Sequence, residues 1–314
     1  MYFVMRRLAV AVITLFLVSV LTFAAFNIIP GDPALLMLGM EATEEQLTAM
    51  RAELGLDRSF AEGYLTWLTS FFTGNLGYST RFRGELIADL ILDRLPVTFF
   101  LACLSLFFII IISVPVSLFS SSEKYSLKSR LVNTFTAVSV STPAFFLGVL
   151  FIWIFGIILR FFIPGSYISY QENFVEFLGY LIFPALTIAI PNAAIVIKFL
   201  RSSILQELKK SYVDTAYSKG ASEKIVLYRH VFKNALIPAI TLMGMIIGDI
   251  FSGSIIIEQV FTIPGVGRLL IASITSRDYP LIQTLVMYIA LIVIIANTLV
   301  DIAIQMIDPR IRVR

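Results

Sequence analysis

The residues able to do chemistry in this 314-residue chain are few and scattered. His230 is the single histidine and Cys103 the single cysteine. A histidine cluster and an intrachain disulfide are therefore both excluded, and metal sites ordinarily need more ligands. Cys103 lies inside an apolar stretch and reads as packing. A Ser–His–Asp arrangement would have to recruit His230, which sits in a basic loop suited to surface or partner contact. The chain contains no Gly-x-x-x-x-Gly-Lys-Ser/Thr phosphate loop. Pro264-Gly265-Val266-Gly267 lacks the Lys-Ser/Thr that would have to follow and reads as a tight turn. Two carboxylates remain within apolar stretches, Asp249 and Asp301. A carboxylate at mid-span costs about 2.5–3.5 kcal/mol on insertion scales. Asp249 is therefore expected to point inward, lining a path, pairing with a donor on another helix, or holding a proton. Asp301 lies nearer the end of its stretch, where a structural hydrogen bond or an interfacial position accounts for it. No catalytic residue, cofactor site or metal site is expected in this chain.

The elements that carry these residues are membrane spans. Apolar residues make up 58% and charged residues 14%, against roughly 45–50% and 25% in soluble chains. Six stretches are each long enough for the roughly 20-residue requirement of a crossing helix: Leu8–Ile29, Leu95–Ser122, Leu131–Leu159, Phe177–Ile197, Asn234–Ile257 and Tyr279–Val300. The first resembles a signal peptide in its Arg6-Arg7 flank but is too long for a signal core, and reads as a retained anchor. With the N-terminus in the cytoplasm, the inner segments 1–7, 123–130, 198–233 and 308–314 hold 16 of the 24 basic residues and all the lysines. The positive-inside rule then places both termini in the cytoplasm. The chain divides into 1–29, an extracytoplasmic insert 30–94, a five-helix core 95–307 containing the loop 198–238, and a tail 308–314.

Within the insert, Pro30-Gly31-Asp32-Pro33 stops the first helix. Thr43-Glu44-Glu45-Gln46 fits a capping box, starting a helix that Gly55 would end. A second, amphipathic helix is expected from Ser59 to Phe72. Its Tyr64, Trp67, Leu68 and Phe71 would dock on the membrane surface, a partner, or a small core of the insert itself. Pro115, Pro143, Pro184 and Pro191 interrupt apolar helices, as suits a moving channel and as is also common in membrane helices. Gly244 and Gly248 form a Gly-x-x-x-Gly pair, and Gly248, Asp249, Ser252 and Gly253 share a face that allows close packing.

The loop at 198–238 reads as two helical pieces around a break. The first runs to about Lys219, Gly220 supplies a left-handed turn, and Ser222 caps the second with Glu223 in its first turn. Such a unit would lie on anionic lipid or present a rigid knob to a cytoplasmic partner. Asp214-Thr215-Ala216, followed after three residues by Gly220, resembles the Glu-Ala-Ala…Gly motif of ABC importer permeases, with Asp for Glu and Thr for one Ala. Lys233 stands where the general pattern has proline. Arg229-His230…Asn234-Ala235-Leu236-Ile237-Pro238 is similar instead to the dipeptide, oligopeptide and nickel branch. So are Ile29-Pro30-Gly31-Asp32-Pro33, Leu54-Gly55-Leu56-Asp57, Arg94-Leu95-Pro96, Pro264-Gly265-Val266-Gly267-Arg268, Arg277-Asp278-Tyr279-Pro280 and Asp308-Pro309-Arg310-Ile311-Arg312.

That resemblance covers essentially the whole chain. It implies an all-α membrane protein of the type I importer permease fold, working beside a second, homologous permease, two ATPases and an extracytoplasmic binding protein. ATP and Mg would belong to the ATPases. Asp214, Thr215, Ala216, Gly220 and Ala221 would form the coupling element, with Lys224, Arg229 and His230 facing the ATPase and Asp249 the path. Peptides are the expected cargo, with nickel or a metal chelate as the alternative. An autonomous proton-coupled transporter would use Asp249 and Asp301 without needing the loop. A membrane-embedded enzyme would need a catalytic cluster that the spans lack.

Overall fold

The computed structural model describes residues 2–28, 33–38, 42–53, 57–82, 84–121 and 127–307. The expected turn at 30–32, the Gly55 cap, residues 123–126 of the 123–130 loop and the tail 308–314 lie outside them. The helices are α1 (Tyr2–Ile28), α2 (Pro33–Leu38), α3 (Glu44–Glu53), α4 (Phe60–Thr73), α5 (Ile87–Ser121), α6 (Leu127–Ser141), α7 (Ala144–Phe151), α8 (Phe174–Glu207), α9 (Ser211–Ser218), α10 (Glu223–Ile225), α11 (Phe232–Val260), α12 (Val266–Ser276) and α13 (Tyr279–Ile307). π-helical turns follow α7 at Ile152–Ile158 and α10 at Val226–Val231. Among the described residues, five helices are long and apolar enough to cross a membrane. The third expected span is not one straight helix. Ser129–Ser141 and Ala144–Ile158 meet at 101°, and count as a sixth crossing only if the bent pair is one span. The cause is Pro143, the N-cap of α7. Proline disfavours helical backbone in the residue before it and has no N–H to donate. Pro184 and Pro191, by contrast, sit inside an unbroken α8.

The chain forms two compact units. One comprises Met1–Pro96 and Arg268–Ile295. Its short helices start as expected. Thr43 N donates to Gln46 Oε1 at 3.0 Å while Gln46 N donates to Thr43 Oγ1 at 3.3 Å. Ser59 and Glu62 make a second such box at the head of α4. The aromatic face of α4 packs on membrane helices rather than on a separate core of the insert. Phe23 of α1 meets Phe60 and Tyr64 edge-on and lies beside Trp67, and Phe71 meets Tyr288 of α13. Tyr64 Oη and Ser19 Oγ share a buried hydrogen bond of 2.7 Å. The fully buried Asp278 caps α13: its Oδ1 accepts from Leu281 N, and its Oδ2 accepts from Ser79 Oγ and Arg81 N.

The other unit comprises Val97–Gly267 and Ala296–Arg314. Here α8 is the central element, burying Phe177, Leu181, Ala185 and Ile188 against Leu101 and Ile109 of α5 and Ile246, Ile250 and Ile257 of α11. Inside a bilayer such contacts stabilise by van der Waals packing, since lipid tails are as apolar as leucine. Cys103 does not join this core. It is exposed on α5, in the same row as Phe99 and Phe107.

A polar lock closes one end of this unit. Glu258, in the last turn of α11, is fully buried, and its Oε1 accepts from Thr98 Oγ1 at 2.6 Å. Thr98 Oγ1 in turn accepts from Val266 N at 2.9 Å, at the start of α12. Nearby, Tyr180 donates to Phe261 O at 2.8 Å and accepts from Gly165 N. The glycines of Pro264-Gly265-Val266-Gly267 make this possible. A Cβ on Gly265 would lie 2.3 Å from the Glu258 carboxyl carbon, and one on Gly267 would lie 2.5 Å from the Ile255 Cα. The Gly267 conflict is with backbone, which cannot swing away. Gly267→Ala is therefore expected to destabilise the protein by about 1–3 kcal/mol. Thermal unfolding of the detergent-purified protein would read this as a lower midpoint; an unchanged midpoint would mean that α11 and α12 are not in close contact there.

Candidate functional site

The segment between α8 and α11 is built on a buried pedestal. Leu118, Leu200, Ile204, Val213, Val226, Leu227, Val231, Ala235 and Ala239 form a second core. Lys209 and Lys210 follow the end of α8, so the piece expected to run unbroken to Lys219 is interrupted before α9. The interruption is held by Glu207, which accepts from Tyr212 Oη at 2.8 Å and pairs with Lys210. Burial pushes the Tyr212 phenol above its ordinary range, partly countered by its hydrogen bond with Asn234.

The end of α9 explains the motif. Gly220 has φ +81°, Gly220 N donates to Tyr217 O at 2.9 Å, and Ala221 N donates to Ala216 O at 3.2 Å. This is a Schellman ending, in which glycine takes the left-handed position and the flanking residues meet. Those residues are Ala216 and Ala221, both packed against the second core. Their small size lets the turn sit close to the pedestal. Ser222 occupies the next N-cap position, but its side chain makes no capping hydrogen bond. The backbone alone begins that helix.

Asp214, Thr215, Lys224, Arg229 and His230 are all exposed on this projection, while Val213, Val226, Leu227 and Val231 are buried beneath it. Tyr217, Ile225 and Tyr228 add exposed apolar surface at 42%, 49% and 58%. The projection is thus a rigid, mixed apolar and mainly basic surface. From Glu223 the helix continues through the π turn into α11 without a break, 38 residues to Val260.

Sequence reasoning missed the anchor beneath this projection. Arg201 Nε donates to Ser120 O, Nη1 to Asn133 Oδ1 at 2.5 Å and Nη2 to Ser129 Oγ at 2.5 Å, tying α8 to α5 and α6. In the sequence Arg201 is one basic residue among eight in 198–233, with nothing to set it apart. Glu258 was also missed. The signal was present: a carboxylate at the very end of an apolar helix, shortly before a Pro-Gly-x-Gly turn.

Asp249 lies elsewhere, about 28 Å along the helix from His230 at 1.5 Å per residue. It was expected on one small-residue face with Gly248, Ser252 and Gly253, pointing inward. The face divides instead. Gly244 is buried and Gly248 and Gly253 are half-buried, whereas Asp249 and Ser252 are exposed. At 3.6 residues per turn Gly244 and Asp249 lie about 140° apart, so both cannot face the bundle. From residue 234 onward, every exposed position of α11 falls in one stripe about 80° wide. Its polar members are Asn234, Thr241, Asp249, Ser252 and Gln259, and its apolar members are Pro238, Met245 and Ile256. The exposed face of α1 differs in composition: between Leu8 and Leu21 it shows Leu8, Val10, Val12, Ile13, Phe16, Leu17 and Leu21, with Thr14 its one polar member and no charge. α1 is dressed for lipid. The α11 stripe, with a carboxylate at mid-length, is dressed for water or protein.

Two family models match the chain: the binding-protein-dependent transport system inner membrane component over residues 113–313, and its N-terminal membrane component over residues 1–102. The chain is similar to a probable peptide ABC transporter permease of Sinorhizobium fredii, 33% identical over 310 residues covering 99% of both chains. A putative peptide permease of Brucella ovis is 35% identical over 313 residues, 98% of both chains. A glutathione transport system permease of Escherichia coli is 35% identical over 310 residues, 99% of this chain and 98% of its own.

The Schellman ending carries a local prediction. Gly220→Val places a β-branched side chain at positive φ, at a cost of about 1–2 kcal/mol. Amide hydrogen exchange across 211–221 should accelerate by about five- to thirty-fold, with exchange in α4 unchanged. Unaltered exchange in 211–221 would show that the left-handed turn is not needed there.

Proposed function

The chain belongs to the binding-protein-dependent transport system inner membrane components, and from that premise we propose that it forms half of an ATP-driven translocation path for peptides. As a permease subunit of that family it serves transport. Its partners in this reading are a homologous second permease, two cytoplasmic ATPases that bind ATP and Mg, and a binding protein on the opposite side. Both termini and the projection on α9 lie in the cytoplasm, the side favoured by the basic residues. Peptide cargo is supported by the names of its relatives.

The observation that carries the proposal is mechanical continuity. The α9 projection sits on a packed pedestal, and the helix that begins at Glu223 runs without interruption to Val260. A force on Lys224, Arg229 or His230, or on Asp214 and Thr215 through the shared pedestal, therefore reaches the Asp249 stripe along one continuous helix. ATPase closure would bias the projection, and that helix would swing the stripe between inward- and outward-open arrangements. A ligand shifts such an equilibrium only by its differential affinity for the two states. The many exposed side chains of the projection are what would supply that difference.

Reconstitution of the five-part assembly in vesicles tests this reading. Uptake of peptide delivered by the binding protein should require ATP on the ATPase side. Gly220→Val should insert normally and lose most of that uptake. Peptide uptake driven by a proton gradient without ATP would overturn the proposal in favour of secondary transport, and nickel uptake without peptide uptake would overturn the cargo. For orientation, a cysteine at Thr80 should label from outside intact cells and one at Ser222 should not. Outside labelling of position 222 would reverse the sidedness.

A further inference from the structure

We infer that Asp249 makes the path selective for positively charged peptide cargo, an inference that rests on the path reading proposed above. Asp249 is exposed, and no described residue of this chain makes an ion pair or hydrogen bond with it. It is the only ionisable residue of the polar stripe, since Asn234, Thr241, Ser252 and Gln259 are neutral. The other carboxylate near this part of α11, Glu258, is fully buried and bound to Thr98. The stripe thus presents a single negative charge, midway along an exposed row of neutral polar and apolar side chains. In the low-dielectric surroundings of a membrane path, one unpaired charge acts more strongly than it would in water. A passing ammonium or guanidinium group would offset the desolvation of Asp249 as the path narrows. A passing carboxylate would meet repulsion.

The chemical class this selects is a peptide carrying a lysine, an arginine or a free amino terminus. Stripe residues on either side of Asp249 offer donors and acceptors to backbone amides. Between a charged cargo side chain and a neutral one of similar size, Asp249 alone discriminates. Selection here acts on the rate of passage and is separate from the affinity of the binding protein. A pairing of Asp249 with a cation of the second permease would consume the charge, and it predicts a different result.

The test uses the complete assembly in vesicles and two tetrapeptides with acetylated amino termini, one carrying a lysine and the other a glutamine in its place. Each is presented as a saturating loaded binding protein, so that maximal uptake rates are compared. The wild-type assembly should favour the lysine peptide by about five- to tenfold. Asp249→Asn should bring the ratio close to one, mainly by slowing the lysine peptide, and Asp249→Glu should keep the preference. A wild-type ratio near one, or a ratio unchanged in Asp249→Asn, overturns the inference while leaving the path reading intact. Equal slowing of both peptides in Asp249→Asn also overturns it, and points to an ion pair with the second permease. Absence of ATP-dependent uptake of either peptide by the wild-type assembly would instead sink the peptide-importer reading itself.

Discussion

A bilayer interior offers no hydrogen-bond partner to a free peptide group, so each interruption of a membrane helix must be satisfied from within the protein. Where this chain departs from a straight helix, it carries its own compensation. At the break beside Pro143, Phe146 N donates to the Pro143 carbonyl and Thr142 Oγ1 to the Val138 carbonyl. Past the π turn after α7, Leu159 N reaches back to Ile154 O at 2.8 Å. The segment between α8 and α11, on the basic side and outside the bilayer in this reading, closes its joints in the same way: the Glu207 carboxylate holds Tyr212 and Lys210, and after α9 the glycine turn ties back to Ala216 and Tyr217. The functional surface is positioned by these joints. The straight segments fill space and set length.

The same constraint applies to the buried carboxyls. Thr98, Glu258 and the Val266 amide satisfy one another at one junction, and Ser79, Asp278 and the Arg81 amide do so at another. Neither carboxyl is left without partners. Burying a carboxyl without hydrogen bonds would cost several kcal/mol, so each junction is held in one geometry.

Much of this was legible in the sequence because hydropathy reports directly on span length and glycine on backbone sign. The span positions, both capping boxes or their helices, and the left-handed turn at Gly220 follow from residue type and local spacing. What was illegible depends on rotation about a helix axis. Gly244, Gly248 and Asp249 are close in sequence, yet one faces the bundle and another faces away. Cys103 looks like core in a uniformly apolar stretch, because such a stretch has no periodicity to say which side is inside. Which of the four span prolines would break its helix was equally hidden. Pro184 and Pro191 are the same residue in similar surroundings, and only the packing of α8 keeps that helix whole. Arg201 and Glu258 were missed because their partners lie 68 to 160 residues away, beyond any local pattern.

The lock at Glu258 has a consequence for how the protein is made. Thr98 is 160 residues ahead of Glu258 and 168 ahead of Val266. At synthesis rates of about 5–20 residues per second, roughly 8–34 s separate Thr98 from its last partner. During that interval Thr98 lacks at least one of the two partners it has in the finished fold. The three-way junction cannot be completed until Val266 of the Pro-Gly-Val-Gly turn has been synthesised. A fragment ending before residue 266 would keep the Thr98–Glu258 pair but lack the backbone amide that donates to Thr98, leaving the junction one bond short.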